Sequence, residues 1–176
     1  MLPSIESFWK GSDEEDRRKS AQVEYLARKT ELEANAADLH TRICAVITMF
    51  ESLRGDRLPG VYSSGWRPKK VNEATANSGK ASAHLDANAG DVKDTPEGKF
   101  AWWCFHNQQI LAQKGLWMEH PVATVLMAKA TPWCHLSRVP PKSGTRAYFP
   151  NAEAAKVWQE HLASGGKAEG GPKEVK

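Results

Sequence analysis

The residues best suited to chemistry lie in a segment of mostly small side chains, residues 82–91. Within it, His84 and Asp91 stand seven positions apart, and an imidazole and a carboxylate are both ligands that zinc accepts. Small neighbours let the backbone come close to a metal ion. The pair alone is not specific, since histidine and aspartate fall at any given spacing by chance in many chains. The segment therefore predicts half of a metal site.

A second segment supplies the missing ligand. His135 lies in a short apolar run, residues 133–136, which has the composition of a strand. Together with His84 and Asp91 it completes the three protein ligands of a catalytic zinc site, in which a fourth position stays open for water. Upstream, Arg67 follows a Ser-Gly-Trp turn, and its guanidinium can bind a carboxylate through two parallel hydrogen bonds. The alternative for this arginine is a surface salt bridge.

Residues 82–91, Ser-Ala-His-Leu-Asp-Ala-Asn-Ala-Gly-Asp, resemble a family signature, Ser-x-His-x-x-Gly-x-Ala-x-Asp. It is that of the zinc D-Ala-D-Ala carboxypeptidases and L-Ala-D-Glu endopeptidases, which cut peptidoglycan stem peptides and share their fold with the hedgehog signalling domain. Residues 64–67, Ser-Gly-Trp-Arg, are similar to the family's Ser-Gly-aromatic-Arg segment, and residues 133–136 to its aromatic-x-His-aliphatic strand. The resemblance covers about residues 61–150 and keeps the family's order.

This resemblance implies that His84, Asp91 and His135 bind Zn²⁺, while Arg67 and Ser82 hold the carboxylate or carbonyl of the substrate. An alternative for Ser82 is that it only orders the loop. The implied activity is zinc-dependent hydrolysis of peptidoglycan peptides, of the carboxypeptidase or the endopeptidase type. Small family members often serve bacteriophages, so the resemblance also implies an endolysin or a virion-associated lytic protein that acts at the bacterial cell wall.

The chain departs from the family pattern at two positions. The glycine of the signature is Ala87 here, which changes the local backbone preference. Family members usually carry a catalytic carboxylate three residues before the last histidine, where this chain has Pro132, and proline cannot take a proton. The second departure favours an alternative function, a zinc-binding structural or virion component with the same fold and little or no catalysis.

Glu119 is the candidate replacement for the missing acid. If residues 116–119 and 133–137 pair as neighbouring strands, its carboxylate lies beside His135 and can act as the general acid and base. His120 is the second candidate for this role. The alternative for Glu119 is a solvated strand end that precedes a proline.

Composition sets the limits on these hypotheses. With 176 residues, 40% hydrophobic and 26% charged, the chain has the makeup of an ordinary globular domain. A formal net charge of +3 is too small to indicate a nucleic-acid partner. No apolar stretch approaches the length of a membrane span, and the first residues lack a signal-peptide pattern. We therefore expect synthesis in the bacterial cytoplasm, and action at the wall after lysis or as a virion part.

The expected fold class is α+β, with a small antiparallel sheet carrying the zinc site, flanking helices and an N-terminal helical segment. The predicted organisation is a helical segment at residues 1–36, a zinc peptidase-like domain at residues 37–163 and a flexible Gly/Lys-rich tail at residues 164–176. The N-terminal helix is a candidate surface for a virion protein or for self-association. A third interpretation is a helical adaptor in which this segment matters most and no metal is bound.

Local patterns predict the individual elements. Residues 13–53 have a helical pattern, and Thr-Pro-Glu at residues 95–97 opens a second helix that is expected to end near Gly115. Asn151 is expected to cap a last helix that runs through Leu162. Residues 69–81 and 138–150 lack periodicity and are predicted to contain no regular element.

Overall fold

The structure is a computed structural model that describes residues 1–11, 14–75 and 79–165. Its α-helices are α1 Ile5–Phe8, α2 Arg17–Ser20, α3 Gln22–Ala27, α4 Lys29–Arg54, α5 Lys69–Ala74, α6 Lys99–His106, α7 Gln108–Gln113 and α8 Ala152–Ala163. Its strands are β1 Tyr62–Ser64, β2 Ala89–Lys93, β3 Trp117–Glu119, β4 Trp133–Ser137 and β5 Ala147–Tyr148. A 3₁₀ helix at Ala83–Asp86 precedes β2, and a π-helical segment at Val122–Leu126 follows β3.

The five strands form one sheet in the order β1-β2-β4-β3-β5. The pairs β1–β2, β2–β4 and β4–β3 are antiparallel, whereas β3 and β5 are parallel. The α+β class is confirmed, but the prediction of a small antiparallel sheet is wrong because the sheet is mixed. The parallel pair arises because residues 138–146 pass beyond β3 after leaving β4, so that β5 joins the free edge of β3 and runs in its direction.

The strand register places chemically distinctive residues in line. Asp91 lies opposite His135, and Met118 lies opposite Leu136. One further step along β3 and β4 brings Glu119 opposite His135. Because residues that face each other across paired strands project to the same side of a sheet, these side chains share one face. At the outer strands, Ser64 of β1 lies opposite Asp91, and Tyr148 of β5 lies opposite Glu119. We call this line of residues across the sheet the site row; from β1 to β5 it consists of Ser64, Asp91, His135, Glu119 and Tyr148.

The helical pattern of residues 13–53 resolves into α2, α3 and α4. The longest of these, α4, ends at Gly55, whose φ of 71° is the left-handed conformation that glycine adopts readily. Its predicted apolar face is buried and consists of Leu32, Ala36, Leu39, Ile43, Val46, Ile47 and Phe50.

The expected boundary between residues 36 and 37 falls inside α4, which is continuous there. Phe8, Trp9 and Tyr25 belong to the same buried cluster as residues of the sheet. The N-terminal segment therefore contributes side chains to the core that the strands share.

The prediction that residues 69–81 form a loop is wrong for α5. Pro68, with φ of −60°, precedes the first residue of this helix, and the carboxylate of Glu24 accepts a hydrogen bond from the Lys69 backbone N–H at 3.1 Å. A carboxylate at the start of a helix compensates unpaired N–H groups there. Because this acid comes from α3, no local pattern could reveal it.

The second predicted helix begins later than expected and is divided. The buried carboxylate of Asp94 accepts hydrogen bonds from the backbone N–H groups of Phe100 and Ala101, which draws the helix start to Lys99. A break at Asn107 separates α6 from α7, and Gly115 follows with a φ of 61°.

The last helix is confirmed, because the Asn151 side chain accepts a hydrogen bond from the Ala154 N–H at 2.9 Å. Residues 138–150 contain β5, so the prediction that they lack any regular element is wrong there. Of the predicted tail, residues 166–176 lie outside the described residues. In the described ranges, no helix has both the length and the apolar character that crossing a bilayer requires.

Candidate metal centre

His84 lies on the 3₁₀ helix that leads into β2. The hydroxyl of Ser82 accepts a hydrogen bond from the His84 backbone N–H, and Ala87 ends the turn with a φ of 54°. The imidazole Nδ1 lies 2.7 Å from the carbonyl oxygen of Gly65 and must donate to it, because a carbonyl only accepts. The lone pair is therefore on Nε2, which is buried and has no hydrogen-bond partner within the described chain.

Gly65 comes close to α1 beneath this histidine. A Cβ atom at Gly65 would lie 2.1 Å from the carbonyl oxygen of Phe8, far inside van der Waals contact. The neighbouring Trp66 N–H donates to that same Phe8 oxygen. The absence of a side chain at this position thus lets the N-terminal segment support the carbonyl that orients His84.

Asp91 is the centre of the cluster. Its Oδ1 lies 2.7 Å from Nδ1 of His135 and 3.5 Å from Nε2 of His84, and its Oδ2 accepts a hydrogen bond from Arg67 at 2.9 Å. Burial raises the pKa of Asp91, but the two histidines outweigh burial and hold it well below its ordinary value. The carboxylate is therefore ionised at neutral pH.

The two histidines differ in their electrostatics. Burial lowers the pKa of His84, which favours the neutral imidazole that metals require. Burial also lowers the pKa of His135, but the carboxylates of Glu119 and Asp91 outweigh this effect and raise it. His135 is therefore the more readily protonated of the two imidazoles.

The three side chains form a group that could hold a metal ion. One donor atom from each of His84, Asp91 and His135 lies within 4.8 Å of the others, and all three residues are buried. The unpartnered Nε2 of His84 supports this interpretation, since a buried nitrogen without a partner is costly unless something binds it. The fixed tautomer of His84 is the arrangement expected of a metal-binding histidine.

Glu119 is brought to the centre by the pairing of β3 with β4. It is half-buried, and its carboxylate has no hydrogen-bond partner in the part of the chain that the structure describes. Burial raises its pKa, the charge of His135 opposes this, and Asp91 adds to it. Pro132, where the family carries its usual acid, is buried before β4 and offers only its carbonyl, which accepts from Asp94 N–H.

Arg67 and Ser82 both lie at the centre, where each makes contacts within the chain. The guanidinium of Arg67 donates to Asp91 and, at 3.0 Å, to the hydroxyl of Ser64. It therefore fixes the orientation of the Asp91 carboxylate, one of the three groups that could hold a metal. The hydroxyl of Ser82 caps the turn that carries His84, which is the loop-ordering alternative.

His120, the second candidate for the acid, is not brought to the centre. It is 3% exposed, and its Nδ1 accepts a hydrogen bond from the Val122 backbone N–H. Aromatic rings surround it, and burial lowers its pKa to about 4. The rings in contact with it belong to Trp102, Phe105, Phe149 and Trp158.

Sequence reasoning missed two contributions to the centre. Tyr148 ends the site row, in a segment predicted to be irregular, where only the short run Ala-Tyr-Phe signalled a strand. The N-terminal helices hold the loop of His84: Arg28 donates to the Asp86 carboxylate at 2.7 Å, and Asn35 donates to the Asp86 carbonyl at 2.8 Å. No local signal could have revealed the second contribution, because these contacts join distant parts of the chain.

Comparisons of the chain with family models, with curated proteins and with solved structures find no match. The function must therefore follow from the residues and geometry of the site. These define a buried cluster of two imidazoles and a carboxylate that could hold a metal, with a second carboxylate beside it.

Proposed function

We propose that this protein is a zinc-dependent peptidase that hydrolyses peptidoglycan stem peptides. The observation that carries the proposal is the convergence of His84, Asp91 and His135 within 4.8 Å, with Glu119 next to His135 in the site row. Three protein ligands and a nearby carboxylate without a hydrogen-bond partner among the described residues are the parts that metal-assisted hydrolysis requires.

Zinc is the metal that best suits these donors. Two imidazole nitrogens with one carboxylate oxygen form a donor set typical of catalytic zinc sites, whereas magnesium and calcium favour oxygen ligands alone. Arg67 holds Asp91, and the Gly65 carbonyl holds His84, so both ligands are oriented by hydrogen bonds of their own.

The chemistry divides between the metal and Glu119. A bound zinc ion supplies Lewis-acid activation. Glu119 accepts a proton from the attacking water, whose oxygen bonds to the scissile carbonyl carbon. The same carboxylic acid then returns the proton to the amine nitrogen as the carbon–nitrogen bond breaks. A raised pKa suits a group that must both take and give a proton near neutral pH.

The substrate class rests on the resemblance of residues 64–67, 82–91 and 133–136 to the zinc D-Ala-D-Ala carboxypeptidases and L-Ala-D-Glu endopeptidases. Peptidoglycan stem peptides are the substrates of that family. A phage endolysin or a virion-associated lytic protein is the corresponding biological role.

The test compares the wild type with Glu119→Gln. We expect one zinc per chain in both by elemental analysis, and release of cleaved stem peptides from purified peptidoglycan by the wild type alone. Loss of the general acid and base should lower kcat by about 10²- to 10⁴-fold. The exposed Glu153 in the first turn of α8 provides the control, and Glu153→Gln should retain wild-type activity. A zinc-loaded wild type that releases no peptide would contradict the proposal.

A second candidate function is a zinc-binding structural or virion component without catalysis. Pro132 favours it, because the position of the family's usual acid carries a residue that cannot transfer protons. This candidate gives full zinc content and no cleavage in either the wild type or Glu119→Gln.

A further inference from the structure

Tyr148 occupies the outer end of the site row. It lies opposite Glu119 across the parallel pair β3–β5, and its ring meets the His135 ring edge-on with 6.4 Å between the centroids. The phenol therefore stands next to both the acid and a metal-binding histidine. No part of the proposed function above makes use of it.

The hydroxyl of Tyr148 is free to bind a ligand. It has no hydrogen-bond partner among the residues that the structure describes, although the side chain is half-buried. Burial raises its pKa, and the carboxylates of Glu119 and Asp91 raise it further. A phenol has an ordinary pKa of about 10, so it carries its proton at neutral pH and can donate a hydrogen bond.

The other donors at the centre are committed elsewhere. Arg67 donates to Asp91 and Ser64, at the end of the site row away from Tyr148. Glu119 and the ionised Asp91 offer acceptors, which would repel an oxygen that gains negative charge. Amide hydrolysis requires a hydrogen-bond donor for the carbonyl oxygen, because that oxygen becomes negative as water attacks. The Tyr148 hydroxyl can be this donor, since Tyr148 lies beside Glu119 on the side away from the proposed metal ligands.

We infer that the Tyr148 hydroxyl donates a hydrogen bond to the carbonyl oxygen of the scissile peptide bond as that oxygen gains negative charge. This inference rests on the proposed peptidase function. It makes Tyr148 a residue that contacts the reacting atoms, and it adds no covalent step to the reaction.

The test is Tyr148→Phe, which keeps the ring and removes only the hydroxyl. With a stem peptide ending in D-Ala-D-Ala, we expect kcat to fall by about 10²- to 10³-fold with little change in KM, as for loss of one oxyanion donor. A phosphinate analogue of D-Ala-D-Ala, whose tetrahedral oxygens mimic the charged state, should bind at least tenfold more weakly by calorimetry. Zinc content should stay at one per chain. Tyr25→Phe is the control, because it removes a phenol hydroxyl that is bonded to Glu33 in the N-terminal helices.

The outcomes separate the two proposals. Unchanged kcat and phosphinate affinity in Tyr148→Phe would overturn the role of Tyr148 while leaving the peptidase function intact. Loss of zinc would overturn it in favour of a structural role. A shifted pH profile of kcat in Tyr148→Phe, with unchanged phosphinate affinity, would also overturn the role of Tyr148 as a donor to the substrate. The phenol would then act through Glu119. A wild type that neither cleaves the peptide nor binds the phosphinate refutes the peptidase function itself, and this inference with it.

Discussion

At the scale of single residues, the centre depends on a position that carries no side chain. Gly65 presents its carbonyl to His84 while its α-carbon lies against Phe8 of α1. The free-energy cost of replacing such a glycine with a larger residue depends on which atoms the new Cβ would contact. Here it meets a backbone oxygen, which cannot rotate away as the end of a flexible side chain could.

Gly65→Ala should therefore destabilise the protein. A Cβ atom 2.1 Å from the Phe8 oxygen forces the backbone to shift, and overpacking of this severity costs about 3 kcal/mol. Urea unfolding measures the loss, and zinc affinity should fall as well, because the shift moves the carbonyl that orients His84. Gly79→Ala is the control, since no atom of the described residues lies within 4 Å of the place that its Cβ would take and no strain is expected. Equal stability of the two variants would contradict the prediction.

His120 predicts a pH dependence of stability. Its pKa is lowered from 6.5 to about 4 in the folded protein, so the unfolded chain binds more protons between these values. This titration therefore leaves stability unaffected above pH 6.5 and destabilises the folded protein progressively as the pH falls towards 4. His120→Asn keeps an acceptor for the Val122 N–H and removes the titration.

This variant should be less stable than the wild type at pH 7 and should lose less stability between pH 6.5 and 4. Unfolding free energies measured across that range provide the test. If the unfolding free energies of the two proteins fall equally between pH 6.5 and 4, His120 is not the group that causes the loss of stability.

At the scale of elements, the N-terminal helices act on the loop that carries His84. Asn35 of α4 donates to the carbonyl of Asp86, the last residue of the 3₁₀ helix. Asn35→Ala removes this bond, which should cost about 1 kcal/mol of stability and should lower zinc affinity about tenfold, as for outer partners of metal ligands.

Asn107→Ala is the matched control for this prediction. It removes a similar bond, from an asparagine side chain to the Trp103 carbonyl at 2.8 Å, between α6 and α7. The control should lose stability without losing zinc affinity, as followed by competition with a chelator. Equal zinc affinity in Asn35→Ala and Asn107→Ala would show that α4 does not position the loop.

Elements whose signals are local could be predicted from the sequence. The apolar face of α4 and the cap at Asn151 follow from spacing within short segments. The grouping of His84, Asp91 and His135 is predicted from two separate segments and from their resemblance to a family signature, and the three residues do lie together. The features that were missed depend on partners far along the chain. Glu24 caps α5, and β5 finds the free edge of β3 only after the sheet has formed.

At the scale of the whole molecule, metal binding and stability should be linked. A ligand that binds only the folded state stabilises it by about 2.7 kcal/mol when its free concentration is about 100 times Kd. For a chain of this size, that corresponds to a rise in Tm of about 5 to 10 °C. Zinc added to chelator-treated protein should produce this shift, and His135→Gln should show none. Equal rises in Tm in the wild type and His135→Gln would show that zinc binds at a different site.

The strand order carries a consequence for the sequence of events in folding. The fourth strand in the chain, β4, lies in the middle of the sheet and is the link between the β1–β2 pair and the β3–β5 pair. Although β3 is synthesised earlier, it can join β2 only through β4. His135, the last of the three proposed metal ligands to be synthesised, therefore lies on the strand that joins the two pairs. Zinc uptake during refolding should report the moment when the sheet closes.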